Sequence, residues 1–252
     1  MKSRYFALAA IAAAAAVLPI RPAGAQVKFF GTDENGSSST RATNVNSAAA
    51  QASFLGALTG VGTESFDGYA DGTSSPLGLT FPGAGAATLN GTGAITSWGG
   101  SGANGAGRYA ISGTKWWEAR VSTGGSAQFQ VNFGSTVAAF GFYGIDLGDF
   151  GSQLTLVFHL TGGATDSWAV PYIASLGGAP PREGSILYAG YINTLGFTQV
   201  DFVGTTTDDA FAFDDMTIGS IEQVSGVPEP ASIALVATGL LGVAAVARRR
   251  RA

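Results

Sequence analysis

Strict period-two alternation over the second half of the chain is the feature that most limits its fold. In "AQFQVNF" the residues Phe129, Val131 and Phe133 share one side, and Gln128, Gln130 and Asn132 share the other. "QLTLVFHL" repeats this with Leu154, Leu156, Phe158 and Leu160, "SWAVPY" with Trp168, Val170 and Tyr172, and "AFAFDDMTIG" with Phe211 and Phe213. Side chains at i and i+2 lie together only on an extended strand, so these segments predict strands with one buried and one wet face. Gly and Asp turns separate them, which predicts antiparallel pairing and an all-β, antiparallel β-sandwich of jelly-roll type. Each large apolar side chain so buried contributes about 1.5–3 kcal/mol.

The first half is less regular. Gly, Ser, Thr, Ala and Asn dominate from Gly31 to Gly107. "AAAQASFLGAL" (Ala48–Leu58) predicts one short helix, and Ser65–Gly91 predicts short extended pieces broken by Asp-Gly and Pro turns. "GGSGANGAG" (Gly99–Gly107) predicts a flexible loop; no Lys follows in the form a phosphate-binding loop requires.

The two ends read differently. Lys2 and Arg4 precede the apolar stretch Phe6–Leu18, and small residues at Ala23–Ala25 fit a secretory signal peptide over 1–25, cleaved between Ala25 and Gln26. At the other end, Ala231–Ala247 holds no charge and predicts a helix of roughly 25 Å, long enough to cross a thin hydrocarbon core. Arg248, Arg249, Arg250 and Arg251 would stay on the cytoplasmic side, leaving the body outside. Between them lie a passenger domain, 26–219, and a short polar stalk, 220–226, expected to be exposed and open to a protease.

Composition narrows the function classes. The body, Gln26–Gly226, holds six basic against sixteen acidic residues, a net charge of −10, which excludes a nucleic-acid partner. With no cysteine, disulfides, thiolate metal sites and Cys nucleophiles are excluded too.

"VPEP", an apolar segment and "RRRR", in that order over Val227–Arg251, resemble the PEP-CTERM sorting signal of exported bacterial proteins; such a tail is also named after the C-terminal domain of an ice-binding protein. The resemblance implies handling by an exosortase, a membrane-embedded peptidase. Pro228, Glu229 and Pro230 would be the recognition element and Arg248–Arg251 the stop. It also implies a Gram-negative source that secretes exopolysaccharide, with passage from the inner membrane to the cell surface or matrix. Two prolines hold the tripeptide extended, the form a peptidase takes. "VAAFGFYGIDLGDFGSQLTL" (Val137–Leu156) and "DDAFAFDDMTIG" (Asp208–Gly219) look like passenger domains found ahead of such tails.

Candidate chemistry in the body is sparse. Asp146, Asp149, Asp208, Asp209, Asp214 and Asp215 cluster in turns and could hold a structural Ca²⁺, which takes six to eight oxygens; the alternative is turn aspartates bonding their own backbone. Asp214 and Asp215 should point to opposite faces, and a buried one would need a cation or backbone amides. Paired acids could serve glycoside hydrolysis. His159, the only histidine, has no partner for a triad or a zinc site and reads as a surface strand residue. Adjacent Trp116 and Trp117 point opposite ways on a strand, which makes one of them a candidate sugar platform, with Trp98, Tyr109 and Tyr143 as further candidates; core packing is the competing reading. "TTT" (Thr205–Thr207) is too short for an ice-binding array. The expectation is a non-enzymatic exported surface or matrix protein, structural or adhesive, in contact with exopolysaccharide. A carbohydrate-binding module is the first alternative, and an enzyme acting on polysaccharide, or an ice-binding protein, comes after it.

Overall fold

Two 19-residue strands, β7 (Ala127–Ile145) and β10 (Ile186–Gly204), organise the molecule, because each is long enough to serve two layers. In the computed structural model, residues 24–121, 127–148, 153–171, 183–204 and 209–225 are described; those from Ala25 onward belong to one unit. The remaining strands are β1 (Gln26–Asp33), β2 (Thr63–Glu64), β3 (Leu77–Phe81), β4 (Gly85–Gly91), β5 (Ala94–Ser97), β6 (Lys115–Val121), β8 (Leu154–Leu160), β9 (Thr165–Ala169) and β11 (Asp209–Gly219). All pairings are antiparallel within one sheet, whose main path runs β5-β6-β11-β7-β10-β8-β9.

The register shows where the sheet turns over. Residues 139–145 of β7 pair with β11 and with 186–192 of β10, whereas 129–133 pair with β4 and with 199–202 of β10. Between these halves the register slips, and Gly196 takes φ +73°. Such a bulge bends a strand and raises its twist, which carries one strand from one layer to the next. The two halves then face each other. Phe129 and Phe202 stack at 4.1 Å, and both meet Phe213 of the other layer edge-on at 5.1 and 5.2 Å. Phe211, Phe213, Leu154, Leu156, Phe158, Trp168 and Val170 are buried in this core, on the sides their alternation assigned.

One expectation fails instructively. In the layer of β1, β10, β7, β11 and β6 both faces are buried at the centre, where residues 186–193 contain no exposed position, while Gln26 and Lys28 of the edge strand β1 stay exposed. The second face is covered by helix α1 (Asn46–Gly56), which presents Ser47, Ala50 and Phe54, and by the stretch around Tyr109 and Ala110. Alternation cannot announce this cover, because Tyr143, Ile145, Ile186, Tyr188 and Ile192 make these segments apolar on both sides, and the small residues Ala139, Gly141, Gly190 and Ala212 among them read as neutral. Those small residues are the seat of the helix. Gly141 and Gly190 pair across β7 and β10, and a Cβ on Gly190 would come within 2.7 Å of the Phe54 ring. The helix predicted at 48–58 forms two residues earlier. It has no local side-chain cap; the Asp33 carboxylate, at the end of β1, accepts from the amides of Val45, Asn46 and Ser47 and from Ser47 Oγ. The Gly99–Gly107 loop is pinned too: Ala103 N donates to Ser39 O and Gly107 N to Ser38 O.

Among the described residues no helix is long and apolar enough to cross a membrane. Residues 1–23 and 226–252, which include most of the predicted signal peptide, Pro228, Glu229, Pro230, the segment 231–247 and Arg248–Arg251, lie outside the described residues. Gln26, the expected first residue of the exported chain, is the first residue of β1.

Candidate functional site

The chain leaves the fold at the end of β11, and its exit is built by the six residues Ser220–Ser225. Ser220 opens a single 3-10 turn, Ile221–Gln223, and donates from its own amide to Gln223 Oε1. Ser220 Oγ bonds Glu222, a hydrogen bond that holds this carboxyl below its ordinary pKa. The Gln223 side chain donates to Gly60 O at 3.1 Å and Gly83 O at 3.0 Å, while its carbonyl accepts from Thr59 N. Val224 bridges Leu58, and Ser225 N donates to Ala57 O at 2.7 Å. The stretch predicted as a free stalk is therefore a clasp: its residues are exposed or half-buried, yet tied down as far as Ser225. Sequence reasoning missed it because its partners lie about 140–165 residues away, and a short polar segment carries no signal of a distant carbonyl.

The described aspartates of the candidate cluster, Asp146, Asp214 and Asp215, are each held by protein groups. Among the described residues there is no group of three or more His, Asp or Glu placed to hold a metal. Asp146 is buried with φ +67°, its carboxylate facing Arg108 Nη1 at 3.4 Å and accepting from Gly184 N at 2.8 Å. Arg108 Nε also meets Glu118 at 3.0 Å, so this carboxylate, guanidinium and carboxylate bind the 103–112 stretch to β6 and to the end of β7. Asp214 lies fully buried and accepts from the amides of Ile111 at 2.6 Å, Ser112 at 3.2 Å and Asp215 at 2.7 Å. Of the two solutions open to a buried aspartate, backbone amides are the one used. Asp215 is buried as well, against the opposite-face expectation, because φ +49° and a bulge between Asp214 and Thr217 break the alternation there; Ser112 Oγ bonds it at 2.6 Å. Burial, then the neighbouring Asp215 charge, pushes the Asp214 carboxyl well above its ordinary pKa; burial also raises that of Asp215. Asp149 and Asp208 lie outside the described residues. Asp209 is the first residue of β11.

The tryptophan platform is overturned. Trp116 and Trp117 point opposite ways as expected, but both faces are covered: Trp117 enters the core between the layers and Trp116 the one under α1, each 0% exposed. Neither indole N–H has a hydrogen-bond partner. Tyr143 is buried, its hydroxyl on Gln51. Tyr109 is buried beneath Arg41 and donates to Gly184 O; desolvation pushes its hydroxyl up to about 12. Trp98, at 39%, is the exposed indole.

A feature the sequence only hinted at is the polar face of the second layer. Thr165, His159, Gln199, Asn132 and Thr88 stand opposite one another across β9, β8, β10, β7 and β4. The next row is Ser167, Val157, Asp201, Gln130 and Asn90. His159 Nε2 lies 2.8 Å from Asp201 Oδ2, and Gln199 Nε2 donates to Asp201 Oδ1 at 2.6 Å and to Gln130 Oε1 at 3.3 Å. His159 is thus a surface strand residue, with a carboxylate partner 42 residues away that alternation could not name.

Comparison with known proteins places the family signature at the end of the clasp. The PEP-CTERM protein-sorting motif matches residues 226–251, starting one residue after Ser225. That motif marks an exported protein, anchored in a membrane at its C terminus and sorted by an exosortase. No curated protein matches the chain. Similar solved structures include the K2 cleaved adhesin domain of Lys-gingipain, at TM-score 0.38 and 15% identity over 63% of this chain and 97% of that one. Two others are the xylan-binding domain from CBM 22, at 0.32 and 12% over 64% and 95%, and a C-terminal family 22 carbohydrate binding module of Clostridium thermocellum Xyn10B, at 0.32 and 12% over 66% and 94%. Likeness at these scores carries no functional weight.

Proposed function

We propose that the chain is a non-enzymatic surface or matrix protein whose β domain is delivered by its C-terminal tail. The match of the sorting motif to residues 226–251 carries this reading. In it, the body stands outside the inner membrane, Arg248–Arg251 stay inside, and an exosortase-type peptidase acts near Pro228, Glu229 and Pro230. A structural or adhesive role is supported by what the body's carboxylates do: Asp33, Asp146 and Asp214 are each engaged in holding a loop or a helix in place. The jelly-roll reading of the fold is supported by two long strands shared between facing layers. The test is mass spectrometry of both ends of the surface-released protein, in cells with and without the peptidase. Cleavage before Gln26 and near the Pro-Glu-Pro is expected; a released form that keeps its C-terminal peptide through Arg251 defeats the reading.

The polar face favours a second reading, a carbohydrate-binding module. Amides, hydroxyls and a carboxylate spaced about 4.8 Å apart along each row, with the two rows about 6.8 Å apart, offer both donors and acceptors to sugar hydroxyls. Retention of the domain on exopolysaccharide, reduced by Gln130→Ala together with Gln199→Ala, would support it; equal retention of both forms counts against it.

A further inference from the structure

We infer that one end of the domain, carrying Ile221 and Leu195, rests on the outer face of the lipid bilayer while the tail is attached. The inference rests on reading residues 226–251 as a membrane anchor. Its first support is the register. Val27 stands opposite Ile192, Ile192 opposite Ala139, and Ala139 opposite Gly219. The start of β1 and the end of β11 therefore lie in one row, about 14 Å apart across three strand spacings. The junction with the export signal and the exit toward the tail are at the same end of the domain.

The second support is the length of free chain. The backbone is hydrogen-bonded to the domain as far as Ser225, and the apolar segment begins at Ala231. Six Cα steps reach roughly 20 Å when fully extended, and the headgroup layer takes up about 5–8 Å of that. A domain on so short a tether stays at the membrane surface, with its exit end toward the lipid.

The third support is the chemistry of that end. It consists of the turns 59–62, 82–84, 134–136, 161–164, 194–196 and 220–225, in which Glu222 is the only charged residue. Ile221 is 46% exposed and Leu195 36%, and Pro82 is exposed in this group of turns; Val45, 67% exposed, lies at the opposite end among charged neighbours, so the lack of charge is what sets this rim apart. At the opposite end, beyond Asp33 and Ile145, lie Glu34, Arg108, Asp146 and Glu183. An uncharged rim with isolated apolar side chains suits the headgroup boundary, while the acidic end keeps its hydration.

The chain has no cysteine, so single ones can be placed at will. Ile221→Cys, Leu195→Cys and, at the acidic end, Val45→Cys are labelled with a polarity-sensitive dye. The exported chain, tail intact, is then reconstituted in phosphatidylcholine vesicles with and without a lipid-borne quencher. Dyes at 221 and 195 are expected to shift to the blue and lose roughly half their emission to the quencher, and the dye at 45 to behave as in water. If the protein floats with the vesicles but all three dyes report water, docking fails and the anchor stands. If it does not float, both fail. Protection of 221 and 195 that appears only with the peptidase co-reconstituted assigns this end to the peptidase and overturns docking on lipid.

Discussion

Two aspartates of the body respond to pH in opposite senses, and each sense follows from what surrounds the carboxyl. Burial alone would raise Asp33, but the Ser47 hydroxyl and the amides of Asn46, Ser47 and Val45 outweigh it and hold Asp33 below 3.8. Its contribution is present above that value and is lost as pH falls through the lower, folded one. Replacing it by Ala should cost about 1 kcal/mol or more at neutral pH, as loss of a helix cap does, and should flatten the acid limb of a thermal-melting profile. Asp214 is the reverse case, raised by burial and by Asp215. Its contribution is full below 3.8 and declines as pH rises through the folded value. Asp214→Asn, which cannot ionise, should remove that decline, so that the melting temperature of the variant falls less than that of the parent above about pH 4. Among the four tryptophans, Trp116 and Trp117 are sealed, Trp168 is nearly so, and Trp98 is open. Acrylamide should quench one component of the fluorescence strongly, and Trp98→Phe should abolish that component.

The elements show why small residues matter as much as large ones. Helix α1 approaches the sheet closely because Gly141 and Gly190 leave a depression for Phe54, and the Tyr188 hydroxyl also crowds any Cβ at Gly141. Gly190→Val should push Phe54 out and destabilise the fold by about 1–3 kcal/mol, the usual cost of overpacking, while leaving strand content by circular dichroism unchanged. Phe54→Ala should cost about 3–5 kcal/mol. The helix was legible as an Ala-rich run; its seat was not, because glycines 49 residues apart announce nothing until β7 and β10 pair.

For the whole molecule, the clasp defines where the folded body stops. A chain ending at Ser225 keeps every bond of Gln223, Val224 and Ser225 to the turns at 57–60 and 83, so it should melt with the tailed protein. A chain ending at Gly219 loses them all and should melt lower, by roughly 2–4 °C for each kcal/mol given up. Reductant should change neither melt, since there is no cysteine to reduce.

By itself the sequence determined the alternating strands of the second half, the faces of Phe129, Leu156 and Phe213, the acidic balance of the body, and the sorting signature at the C terminus. These rest on local spacing and summed charge, which need no knowledge of what lies opposite. Only the tertiary structure decided that both tryptophans are buried, that amides satisfy Asp214, that Gln223 clasps the exit, and that both ends of the domain meet on one side. Each of those depends on which distant backbone a residue meets, and long-range strand pairing is the one thing alternation leaves open.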